Sequence, residues 1–159
     1  MTVLDDRIEM AEESAELTPD VADIYDQLRT KYPRKRVKSD VRMDYPGYLN
    51  GFASDVVALA EGAAKDDKGH WRPEDVEFVA EAISRSTAGN DHGPKKDAYA
   101  AAEVPVYLIV DPYAEEWHLH TLPADGKYHG RVSFGFGEDV DLTGTAVGLT
   151  LRTDDFPRD

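Results

Sequence analysis

Two carboxylates and a lysine in the middle of the chain have the residue types for phosphoryl chemistry. Glu81 interrupts the apolar run "VEFVAEAIS", and Asp55 interrupts "FASDVVALA" in the same way. Burying a carboxylate without partners is costly, so an acid inside a strand that reads as core needs a reason. A hard cation supplies one. Magnesium binds oxygen, takes one or two carboxylates and keeps several waters. Acids on two consecutive strands can converge on one such ion. Lys95 would add a positive charge to stabilise a pentavalent phosphate or to position a water.

The spacing around these residues extends the cluster. Asp91, Lys95 and Tyr99 stand at i, i+4 and i+8, so a helix stacks them on one face. That helix directly follows the Glu81 strand, which brings Lys95 within reach of the carboxylates. Period-two alternation puts Glu77, Val79, Glu81 and Ile83 on one strand face, and Phe78, Ala80 and Ala82 on the other. Each residue also has a plain structural reading. Asp55 can cap a turn, Asp91 and Lys95 can form a surface ion pair, Tyr99 can pack, and Glu77 can face solvent. His118 and His120 share a hairpin face but have no evident third ligand, which argues against a metal there. His92 reads as a loop residue beside the site.

These residues need a scaffold, and the chain reads as one. Thr18 and Pro19 suit a helix start, and Val21, Ile24, Tyr25 and Leu28 follow at helical spacing over 19–31. "KYPRKRVK" then packs five basic residues into eight. Of these, Arg34, Lys35 and Arg36 are the candidates for nucleic-acid contact. Strands are expected from the alternation in "RVKSDVRMDY" and over 52–60 and 75–83, with a loop at 61–73. Pro94 opens a helix to Glu103. "VPVYLIVD" is a continuous apolar run of the kind buried on both faces. Hairpin texture follows: "EEWHLHTL" and "KYHGRVSFGF" flank "PADG", and "EDVDL" and "AVGLTLR" read as short closing strands. The expected class is α/β (α+β), with residues 1–18 as a flexible or short helical arm and 19–159 as a single domain.

Composition narrows the function classes. With 159 residues, 41% of them hydrophobic, a real core is available. No apolar run approaches the roughly 20 residues needed to span a bilayer. The acidic start lacks the order of a signal peptide, and there are no cysteines. Both point to a cytoplasmic protein without thiolate metal sites. The net charge is −14, from 32 acids against 18 Lys and Arg. Proteins that grip phosphate backbones are usually basic, so any DNA contact must use local patches.

Taken together, the segments resemble the Uma-type family of restriction endonucleases in the PD-(D/E)XK nuclease superfamily. The resemblance rests on "EAISRST", "DHGPKKDAYA" and "EVPVYLIVDP" in that order, and it runs from about Gly51 to the closing "LTLRTDDFP". It implies a restriction-endonuclease-like core: a mixed central sheet flanked by helices, with C-terminal antiparallel hairpins. It further implies a magnesium or manganese site held by Asp55 and Glu81. Ile83 stands where the superfamily has its strand lysine, so Lys95 takes that role, with Lys96 as understudy. Asp91 and Tyr99 would support the site.

The chain departs from the family pattern in three places. Ser54-Asp55 replaces Pro-Asp. Ser84-Arg85-Ser86 replaces Ser-Pro-Ser, adding a positive charge. The Glu-rich hairpin of the family has no counterpart in the first 18 residues, so the chain is expected to be trimmed there.

The first expectation is therefore a magnesium-dependent phosphodiesterase acting on DNA. The second is a catalytically inactive interaction or regulatory module on the same fold, forming a homodimer through its apolar hairpin face. The third is a small-molecule enzyme that reuses the acidic site.

Overall fold

The computed structural model describes residues 19–43, 45, 52–84 and 92–156. Asp91, Arg85, Ser86 and the expected 1–18 arm lie outside the described residues. Helix α1 (Pro19–Leu28) leads through a 3-10 turn at Arg34–Arg36 into β1 (Val37–Met43). Strands β2 (Phe52–Leu59) and β3 (Val76–Ala82) follow, then helix α2 (Pro94–Ala101) and β4 (Val106–Asp111). The chain closes with β5 (Glu116–Ala124), β6 (Lys127–Gly135), β7 (Val140–Asp141) and β8 (Thr150–Leu151). The last two are shorter than the alternation suggested, two residues each, and pair only with each other.

One six-stranded sheet runs in the order β1-β2-β3-β4-β5-β6. All its neighbours are antiparallel except β3 and β4, which are parallel. A parallel pair needs a crossover connection, and the segment carrying α2 supplies it. The expected mixed sheet with C-terminal hairpins is thus the observed architecture. The β5–β6 turn is tighter than "PADG". It is Asp125-Gly126, both at positive φ (56° and 75°), which suits a two-residue hairpin loop.

Two apolar layers sandwich the sheet. On one face Ile24 and Leu28 of α1 pack with Val56, Phe78, Ala80, Leu108 and Trp117. On the other, Ala98 and Tyr99 of α2 pack with Val57, Val79, Tyr107 and Ile109. Successive residues of β4 alternate between the two layers, so its continuous apolar run is buried on both sides, as expected.

Strand β3 departs from strict alternation. Val76 and Val79 pack in the same layer although they are three residues apart. The register against β2 shifts between Ala58 and Leu59, so Glu77 is the extra residue of a bulge. The bulge turns Glu77 away from the face of Val79, where alternation placed it. It accepts a 2.7 Å hydrogen bond from the Tyr32 hydroxyl, and Tyr32 belongs to the α1 layer.

Candidate active site

Strands β2 and β3 pair through Val56 with Ala80 and Val57 with Val79. One position further, the ladder ends in side chains. The Asp55 N–H donates to Glu81 Oε1 at 2.8 Å, and the Ala82 N–H donates to Asp55 Oδ2 at 2.8 Å. Each carboxylate accepts an amide of the opposite strand. The two acids are thus brought side by side at the rim of the sheet, on the face covered by α2.

Lys95, on the first turn of α2, completes the group. Its Nζ donates to Glu81 Oε2 at 2.5 Å. Glu81 is 2% exposed. Its carboxyl is pushed up to about 8, first by burial and then by the Asp55 charge. Lys95 and the Asp55 amide pull in the other direction. The contact geometry alone suggests a simple ion pair. Burial and a second carboxylate outweigh it, so the site favours additional positive charge.

Tyr99 lies one turn further along α2. Its hydroxyl shares a 2.8 Å hydrogen bond with Ser54, the neighbour of Asp55. Tyr45 meets its ring edge-on at 4.9 Å. Burial holds the Tyr99 hydroxyl well above its ordinary value, so it stays protonated. Lys95 and Tyr99 therefore approach adjacent points of the strand ends, as their spacing predicts. Lys96 is directed elsewhere. It lines a separate cavity between α2 and the β5–β6 hairpin.

The expected basic contacts divide as well. Arg36 is engaged internally: its Nε donates to the Leu59 carbonyl at 2.8 Å, and its guanidinium stacks 4.8 Å from the Tyr32 ring centroid. Lys35 and Arg36 line a cavity of about 490 Å³ with Lys38 and Trp71. Lys38 and Lys65 lie 5.2 and 5.6 Å from the Trp71 ring centroid. Arg34 is exposed on the same 3-10 turn. Trp71 packs against the α2 layer and Arg36 against Tyr32 of the α1 layer, so this basic surface spans both sides of the sheet, with Trp71 on the face of Glu81.

Sequence reasoning missed Asp40. The pairs Ser39–Val56 and Val41–Ser54 flank it, which puts it opposite Asp55 in register. Its φ is 52°, a conformation that few non-glycine residues adopt inside a strand. The lone acid in "KSDVRM" was the available signal. Among the described residues no group of three or more His, Cys, Asp or Glu is arranged around a common metal position. The donor set of Asp55 and Glu81 nevertheless suits magnesium, which takes one or two carboxylates and fills the rest of its shell with water.

A family model described as "Putative restriction endonuclease", Uma2, matches residues 4–154. The chain belongs to the Uma2 family. The match reaches well ahead of Gly51, where the motif resemblance began. A crystal structure from Anabaena variabilis, described as "a putative nuclease belonging to DUF820", shares the fold with a TM-score of 0.64. It is 10% identical, with 85% of this chain and 76% of that chain covered. No curated protein matches the sequence. No helix among the described residues is long and apolar enough to cross a membrane.

Proposed function

We propose that the chain is a magnesium- or manganese-dependent endonuclease that hydrolyses phosphodiester bonds of DNA. The observation that carries this reading is the reciprocal Asp55–Glu81 pair with Lys95 hydrogen-bonded to Glu81. Asp55 and Glu81 would hold the metal ion. When bound, such an ion polarises the phosphoryl oxygen and lowers the pKa of a coordinated water.

The chain's own residues do the rest. Lys95, hydrogen-bonded to Glu81, offsets charge that builds on the phosphoryl oxygens. Tyr99 fixes Ser54, and through it the start of the Asp55 carboxylate. Water adds to phosphorus as the bond to one sugar oxygen breaks. That oxygen takes up a proton, leaving a phosphomonoester and a hydroxyl.

The substrate reading draws on charge placement. On a chain of net charge −14, Lys38 and Lys65 flank Trp71 on the face that carries Glu81, and Lys35 lines the cavity beside them. Cations interleaved with an aromatic ring suit a phosphate backbone and a stacked base. Val132 and Phe134 are exposed on the edge strand β6, which supports a homodimer as the assembled state.

The test is cleavage of single- and double-stranded DNA with magnesium or manganese. Metal-dependent cleavage that is lost in Asp55→Asn, Glu81→Gln and Lys95→Gln is the expected result. Cleavage that survives all three substitutions, or its absence from wild type with both metals on both substrates, would overturn the reading.

A further inference from the structure

A second cationic site lies on the same face, away from the carboxylates. Between α2 and the β5–β6 hairpin is a cavity of about 400 Å³ lined by Lys96, Asp97, His120, Lys127, Tyr128 and Arg131. Three of these are cations and one is an acid, a local balance opposite to that of the chain. A 400 Å³ cleft falls within the range of small-ligand pockets.

His120 provides the second observation. It is 4% exposed, and its Nε2 has no hydrogen-bond partner among the described residues. Buried polar nitrogens are nearly always paired, so an orphan calls for an explanation. Its ring stacks on Tyr107 at 5.9 Å and leans on Tyr128 at 5.8 Å, so packing fixes it in place. Tyr128 is fixed in turn by its hydroxyl, which donates to the Val104 carbonyl at 2.8 Å. The surroundings hold the imidazole neutral, by burial first and then by the nearby Lys96 and Arg131 charges. A neutral imidazole beside cations can donate one hydrogen bond to an anion without adding charge.

We propose that this cavity is a phosphate-group subsite, in which Lys96, Lys127 and Arg131 supply the charge and His120 a directional hydrogen bond. The sheet sets its distance from the carboxylates. Glu81 pairs with Ile109, Ile109 with His118, and His120 lies two residues beyond. Strand spacings then place His120 about 12 Å from Glu81. One extended nucleic-acid strand could touch both. The source of the phosphate as a DNA strand rests on the nuclease reading; the binding of phosphate does not.

The experiment is calorimetric titration of inorganic phosphate into the full chain in metal-free buffer, with His120 followed by NMR. Expected are one site per chain, a shift of the His120 ring signals, and affinity at least tenfold weaker in Arg131→Gln and in Lys96→Gln. Arg29→Gln and Lys68→Gln, exposed cations away from the cavity, should bind as wild type does, and Arg131→Lys should retain much of the affinity. Circular dichroism of each variant separates lost binding from lost fold. No binding by wild type, or binding unchanged in both Arg131→Gln and Lys96→Gln, overturns the inference.

Competition then identifies the source. A 5′-phosphorylated oligodeoxynucleotide that displaces phosphate supports a strand phosphate, and failure to displace it supports a free phosphate. Metal-dependent DNA cleavage without phosphate binding removes the subsite and leaves the nuclease reading intact. Phosphate binding without cleavage does the reverse.

Discussion

Asp55 and Glu81 terminate the β2–β3 ladder by exchanging side chain for backbone: Glu81 Oε1 accepts the Asp55 amide, and Asp55 Oδ2 accepts the Ala82 amide, both at 2.8 Å. The arrangement does two things at once. It satisfies amides that the separating strands would otherwise leave unpaired, and it holds two carboxylates together where Lys95 can reach them.

This double role separates two substitutions at one position. Glu81→Gln keeps an oxygen that can accept the Asp55 amide, so the fold should persist with little loss of stability. Glu81→Ala removes that acceptor and should cost about 1–3 kcal/mol. Both should abolish magnesium binding. Thermal melts with and without magnesium check this. Wild type should gain stability with metal, and neither variant should. A metal-dependent gain that persists in Glu81→Gln would remove Glu81 from the metal site.

Stability should also carry the signature of Glu81 in its pH dependence. Its folded value of about 8 lies above the ordinary 4.5. The folded state therefore holds a proton that the unfolded state has released. This contribution is fully present below about 4.5 and is lost as pH rises through 8. One pKa unit corresponds to about 1.4 kcal/mol, so the effect is on the order of a few kcal/mol. Denaturant melts between pH 5 and 9 should show the decline in wild type but not in Glu81→Gln. Lys95→Met should carry the decline on to higher pH, because Lys95 is the cation that opposes the shift.

Much of this site was legible from residue types. Acids inside apolar strands flagged Asp55 and Glu81, and helical spacing put Lys95 and Tyr99 on one side of α2. The continuous run in β4 announced burial on both faces. What failed did so for physical reasons. Alternation assigned Glu77 to the wrong face because a bulge adds one residue, and a bulge depends on pairing rather than on local pattern. Lys96 was read together with Lys95, although adjacent helical residues project about 100° apart, and it lines another cavity. His120 looked like half of an incomplete metal pair, and only the fold brings Lys96 and Arg131 to it. The role of Asp91 lies outside the described residues.

Asp40 offers a test of whether backbone strain serves the site. It sits opposite Asp55 in register with φ 52°, where glycine is preferred. Asp40→Gly should therefore stabilise the fold by about 0.5–1 kcal/mol. If the aspartate is held there to approach the metal, the same change should weaken magnesium affinity severalfold, and Asp40→Asn should do so without the gain in stability. Denaturant melts and calorimetry on both variants decide the matter. Unchanged metal affinity in both would reduce Asp40 to a strand irregularity.

The opposite pH signature belongs to His120. Burial and neighbouring cations hold its imidazole near 4, below the ordinary 6.5. The unfolded state then binds a proton that the folded state refuses. Its contribution is fully present above about 6.5 and is lost as pH falls through 4. The shift corresponds to roughly 3–4 kcal/mol. His120→Phe fills similar space between Tyr107 and Tyr128 and cannot titrate, so the difference in stability between wild type and variant isolates the histidine. That difference should move in favour of the variant as pH falls from 6.5 to 4. A difference that stays flat over this range would mean that His120 becomes charged within the fold, with an acidic partner, and a phosphate seated beside it would then meet a cation.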